Sequence, residues 1–143
     1  MKLGIRDFAD VIAVLKGPGG NISASEKRRA ARIEVSAKIN IHLFEGSKIA
    51  RSFSALSRDI SLTGIGLLQT VALNPNQSGV VIALPRQHSP LFVYCTVMQC
   101  RPLADGLLVV GLDFCELASK ETADAILGDG KREHSRIQES ILG

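Results

Sequence analysis

Two short stretches of this chain carry residue types whose chemistry is complementary. Residues 26–32 read Glu-Lys-Arg-Arg-Ala-Ala-Arg and contain an R-x-x-x-R at Arg28 and Arg32. Residues 59–64 read Asp-Ile-Ser-Leu-Thr-Gly, a D-x-S-x-x-G. Guanidinium forks bind phosphate oxygens and the O6/N7 edge of guanine in bidentate fashion. A carboxylate such as Asp59 only accepts hydrogen bonds, which suits the N1–H and exocyclic amine of guanine. On an extended chain Asp59 and Ser61 leave by the same face while Ile60 points the other way. Gly64 permits either a positive φ or a close backbone approach at the turn that follows. The set suits an anionic ligand containing guanine. Taken alone, the same residues also read as a surface Arg run and an Asx/Ser turn, which is the commoner occurrence. The R-x-x-x-R spacing itself recurs at Arg132 and Arg136.

Other chemistry has little to stand on. His42, His88 and His134 are scattered, and none adjoins a nucleophile. His42 falls at an outward position of a predicted strand, where a solvated surface histidine is expected. Nucleophile-elbow, zinc-protease and P-loop patterns are missing, and Gly64-x-Gly66 lacks the third glycine of a dinucleotide fingerprint. Cys95 and Cys100 are five apart on one predicted strand, so their side chains should leave opposite faces and cannot chelate together. Cys115 is expected to be a buried small hydrophobe. The expectation is no enzyme, no metal and no cofactor.

Those residues need a scaffold, and the chain supplies one domain's worth. It has 143 residues, 45% hydrophobic and 22% charged, which argues against collagen-like, disordered and coiled-coil classes. A chain this long can hide about 68–70% of its unfolded surface, enough for a core without disulfides or metal. No apolar run reaches the length of a membrane span, and Arg6, Asp7 and Asp10 interrupt the only candidate signal stretch. With an odd number of cysteines, this places the expectation in the cytoplasm. The net charge of +3 is unevenly spread: residues 26–58 hold eight Lys/Arg and three Asp/Glu, whereas 59–143 hold six and nine. The excess is local, as a site for a small or segmental anion would require.

Ile5, Phe8, Ile12 and Leu15 recur at helical spacing, and Gly17-Pro18-Gly19-Gly20 breaks that helix and begins a flexible linker to about Ser25. So short a helix must dock on its own domain or on a partner. From Ile33 to Phe44 the residues Val35, Ala37, Ile39, Ile41 and Leu43 alternate with polar ones, the period of a half-buried strand. Five more apolar runs follow at Ile49–Leu56, Gly64–Thr70, Gly79–Leu84, Leu91–Arg101 and Gly106–Cys115, separated by Gly, Pro, Asn and Asp turn signals. About six short strands at this spacing point to an antiparallel barrel or sandwich. Ser119 can cap a closing helix carrying Ala123, Ile126 and Leu127, ended by Gly128 and Gly130, and a last amphipathic piece uses Ile137, Ile141 and Leu142. The expected organisation is a helix and linker over 1–25, a barrel over 26–117 and a helical extension over 118–143.

The ordered combination of Arg28-x-x-x-Arg32 before a barrel and Asp59-x-Ser61-x-x-Gly64 after its second strand closely resembles the PilZ domain. Ile65-Gly66-Leu67-Leu68 and Val110-Gly111-Leu112-Asp113-Phe114 add to the likeness, which covers about residues 26–116. The resemblance implies a six-stranded antiparallel PilZ-type β-barrel, mainly β with short N- and C-terminal helices. It implies binding of the bacterial second messenger cyclic di-GMP, with no catalysis. Arg28 and Arg32 would grip phosphate and the guanine edges, Asp59 would read the Watson–Crick edge, Ser61 would add a polar contact, and Gly64 would keep the turn open. Lys27 lies where the family's residue influences whether one ligand or a stacked pair binds, and it leaves both open. Arg29 and Arg58 are unassigned by the motifs and are taken as electrostatic helpers.

Ligand binding would then order the Arg segment against Asp59 and Ser61 and shift the N-terminal helix, changing a partner surface that controls motility, biofilm or exopolysaccharide output. Two alternatives stand beside this. One is a ligand-independent protein-interaction adaptor of the same fold. The other is a small barrel for single-stranded nucleic acid, disfavoured because stacking needs aromatics and several of Phe8, Phe44, Phe53, Phe92, Tyr94 and Phe114 fall in apolar runs.

Overall fold

The computed structural model describes residues 1–16, 23–24 and 33–128. Helix α1 (Ile5–Lys16) comes first, then strands β1 (Ser23–Ala24), β2 (Ile33–Glu34), β3 (Lys38–Glu45), β4 (Lys48–Ile60), β5 (Gly64–Gln69), β6 (Val80–Leu84), β7 (Leu91–Ala104) and β8 (Leu107–Leu117). Residues 120–128 form a second helix, α2. All strand pairings are antiparallel. The order β4-β3-β6-β7-β8-β5 returns to β4 through an additional β4–β5 pairing. Six strands therefore close a barrel with no exposed sheet edge around the ring. The expected fold class holds.

The period-two pattern sets which side chains fill the barrel. Ile39, Ile41, Leu67, Val80, Ile82, Val93, Val97, Val110 and Leu112 are buried in one cluster. The strand expected from Ile33 to Phe44 is broken in two. Residues 35–37 leave the ladder, and the buried Ser57 hydroxyl spans the gap by donating to Val35 O and accepting from Ala37 N–H at 2.9 Å. Side-chain satisfaction of freed backbone groups is what lets the strand break inside the fold. The hairpin between β7 and β8 turns on Asp105-Gly106, both at positive φ (46° and 84°), as a two-residue turn requires.

Helix α1 docks on its own barrel. Val11, Ile12 and Leu15 join the barrel cluster, Asp7 pairs with Arg86 at 3.1 Å, and Asp10 accepts from the Gln87 N–H. The helical stripe was expected to include Ile5, yet Ile5 is 77% exposed and Val11 is fully buried. The docked face is rotated toward Val11 because the barrel surface meets the C-terminal half of the helix. Part of the expected linker is strand: Ser23 and Ala24 pair with Glu34 and Ile33. At the other end Ser119 caps α2 as expected, its Oγ accepting from Thr122 N–H at 3.2 Å. Ile126 packs on Val81 and Phe92, and the Tyr94 hydroxyl is hydrogen-bonded to Thr122 Oγ1. Leu127 faces outward. Gly130, Arg132, His134, Arg136, Ile137, Ile141 and Leu142 lie outside the described residues.

The cysteines correct two expectations. Cys115 is exposed, its Sγ 2.7 Å from Thr96 Oγ1, because Phe114 takes the inward position beside it. Cys100 packs against the same core that holds Cys95, although strict alternation would send them to opposite faces. Met98 is an extra residue in β7 opposite the Leu112–Gly111 step of β8, and it inverts the parity of the residues from Gln99 to Pro102, where a second irregularity follows. Burial, reinforced by Cys115 and Asp113, pushes the Cys95 thiol far up and keeps it protonated.

Candidate functional site

The D-x-S-x-x-G run sits where β4 ends. Asp59 belongs to β4 itself, which runs past the expected Leu56 to Ile60. It is paired with Glu34 of β2 on one side and Gly66 of β5 on the other. Ile60 points into the core, while Asp59 and Ser61 both line one cleft on the outer wall, as the two-residue spacing implied. The chain then turns tightly, with Ser61 N–H donating to Gly64 O at 2.9 Å and Thr63 N–H to Ser61 Oγ at 3.3 Å. Ser61 is thus tied into the turn that presents the motif. Gly64 does not use positive φ; its requirement is space. A Cβ there would lie 2.6 Å from Leu112 O.

The cleft has a volume of about 300 Å³ and lies across β4, β5, β8 and β7. Its floor is a row of positions in register: Asp59, Gly66, Gly111 and Gln99. Two adjacent strands therefore offer glycine side by side, and bare backbone forms the centre of the floor. The Asp59 side chain lies over the first of them, since a Cβ on Gly66 would stand 2.5 Å from Asp59 Oδ1. Arg58 and Arg101 line the cleft together with the acidic Asp59 and Asp113, so its described walls carry balanced charge.

Asp59, Ser61, Gly64 and Arg58 are brought together here. Lys27, Arg28, Arg29 and Arg32 lie outside the described residues. Arg32 is bonded to Ile33, whose partner in β4 is Ile60, directly beside Asp59. Sequence reasoning missed Gly66 and Gly111 as floor residues, and missed Met98, Gln99, Arg101 and Asp113 at the cleft. The glycines of Ile65-Gly66-Leu67 and Val110-Gly111-Leu112 were a usable signal, because glycine inside a strand marks close approach of something else.

A second cleft, about 490 Å³, separates α2 from the outer face of β3 and β4 and includes Lys38, His42, Ser52 and Ile126. His42 is half-buried there, its Nδ1 2.8 Å from Ser52 Oγ. Among the described residues no group of three or more His, Cys, Asp or Glu could hold a metal ion. No helix among them is long and apolar enough to cross a membrane.

The described residues thus form a closed six-stranded barrel with an open, glycine-floored cleft on its wall. The chain belongs to the PilZ domain family, whose model matches residues 26–127. Solved structures similar to it include the Bacillus subtilis inhibitor of motility MotI/DgrA, at 15% identity and TM-score 0.49 over 83% of this chain and 57% of that one. The K. pneumonia MrkH–c-di-GMP complex matches at 13% identity and TM-score 0.49, over 82% and 53% respectively. Escherichia coli YcgR in complex with c-di-GMP matches at 14% identity and TM-score 0.47, over 85% and 62%. The chain thus spans between 53% and 62% of the length of these structures. No curated protein matches the sequence.

Proposed function

We propose that this chain is a cyclic di-GMP receptor that acts by binding, without catalysis. The observation that carries the reading is the convergence of Asp59, Ser61 and Gly64 on one cleft, beside the β2 residue to which Arg32 is bonded. Membership of a family of cyclic di-GMP receptors supplies the ligand class. Asp59 accepts from the N1–H and exocyclic amine of a guanine lying over the Gly66–Gly111 floor. Arg28 and Arg32 neutralise the ligand's phosphates, which the charge-balanced described walls do not do by themselves. Ser61 holds the turn and offers its hydroxyl at the cleft.

The output runs through α1. Leu3 N–H donates to Leu62 O at 2.8 Å, so the turn carrying the motif is tied to the segment leading into that helix. A ligand that draws Arg28 and Arg32 against Asp59 changes the turn and the seating of α1, and with it the surface shown to a partner protein. Calorimetric titration with cyclic di-GMP tests this. Saturable binding by the wild type, lost in Arg28→Ala/Arg32→Ala and strongly weakened in Asp59→Ala, is expected. Wild-type silence at low salt would leave the ligand-independent adaptor as the better reading.

A further inference from the structure

The position of the Met98 bulge has a consequence for the cleft. Val97 faces the core opposite Leu112, so an unbroken β7 would turn Gln99 inward too. The extra residue places Gln99 opposite Gly111 and Arg101 opposite Val109, on the outer side, and sends Cys100 inward opposite Val110. Bulges often re-aim side chains beside binding sites. Here one bulge delivers an amide and a guanidinium together to the edge of the cleft that faces Asp59.

We propose that β7 supplies a second binding wall, with Arg101 taking a phosphate of the ligand and Gln99 contacting a purine edge. This rests on the receptor reading of the same cleft. Three strand spacings separate Asp59 on β4 from Gln99 on β7, roughly 14 Å, so the two ends of the floor address different parts of one ligand or two stacked ones. Both side chains are exposed, and neither forms a hydrogen bond or ion pair with any described residue. The Gln99 amide lies along the floor, since a Cβ on Gly111 would stand 3.4 Å from its Nε2. An amide both donates and accepts, so it can pair with the amine and carbonyl groups of a purine. Arg101 is the one cation of the far wall among the described residues that line the cleft.

The test is titration of cyclic di-GMP into the wild type, Arg101→Ala, Gln99→Ala and Arg51→Ala. Arg51 is an exposed β4 cation outside the cleft, 5.8 Å from the Phe53 ring centroid, and its loss controls for net charge. Arg101→Ala should weaken binding about tenfold or more, with the deficit shrinking as salt is raised. Gln99→Ala should weaken it about three- to tenfold at all salt concentrations, and Arg51→Ala should match the wild type. Thermal melts without ligand should coincide for all four, which separates contact from folding. If the wild type binds and both β7 variants behave like Arg51→Ala, the second wall is overturned while the receptor reading stands. If the wild type does not bind, both fall.

Discussion

On the outer wall of β6 and β7 the side chains are Val81, Ala83, Phe92 and Tyr94, and α2 lies over them with Ala123 and Ile126. On the outer wall of β5 and β8 the matching positions hold Gly66 and Gly111, flanked by Asp59 and Gln99, and line an open cleft. Both walls belong to one barrel, built by the same alternation and backed by the same core. What differs is the outward half of the alternation. Apolar outward residues leave surface that must be covered, and a helix with an apolar stripe covers it. Outward glycines leave bare backbone, which loses no apolar burial by staying open and lets a flat ligand approach closely. Outward residues are thus the place to read function in a barrel whose inward residues only fill it.

The sharpest way to break this contrast is to give the bare wall a side chain. Gly66→Val must displace the Asp59 carboxylate, because its Cβ would stand 2.5 Å from Oδ1. It should cost about a hundredfold in cyclic di-GMP affinity, roughly 2.7 kcal/mol, measured by calorimetry. Unfolding stability should fall little, since valine suits a strand. The reverse pattern is expected on the covered wall. Ile126→Ala should lower unfolding stability by about 2 kcal/mol in a urea titration and leave ligand affinity unchanged.

Ser57→Ala lies between the two. It strands Val35 O and Ala37 N–H where the chain approaches the site, and should cost about 1–2 kcal/mol of stability together with a modest loss of affinity. The smallest effect belongs to the α1 ion pair. Asp7 and Arg86 are solvent-accessible, so Asp7→Asn should change stability by under about 0.5 kcal/mol, and less at high salt.

The barrel was legible because its signals are local. The alternation from Ile39 to Leu43 and the Asp105-Gly106 turn each state their own structure within a few residues. The shared face of Asp59 and Ser61 was legible for the same reason, since an extended backbone puts alternate residues on one side, and the close backbone approach at Gly64 was legible from its lack of a side chain. Gln99 and Arg101 were not. Their direction depends on one unpaired residue, Met98, and nothing local announces that Gln99 stands opposite Gly111 instead of following Val97 inward. Cys100 was misplaced by the same parity change, and Cys115 by ignoring that Phe114 needs the core more. Ile5 fits the helical stripe in sequence, but where a helix meets its barrel is decided by tertiary packing.

On the proposed reading the bare wall, and not the covered one, receives cyclic di-GMP. Backbone amide NMR of the full chain titrated with the ligand tests it most directly. Saturable shifts at Asp59, Gly64, Gly66, Gln99 and Gly111, extending to Leu3 and Leu62 but sparing Val81, Phe92 and Ile126, are the expected result. Shifts centred on the α2 wall, or none at saturating ligand, would rule out binding at the bare wall.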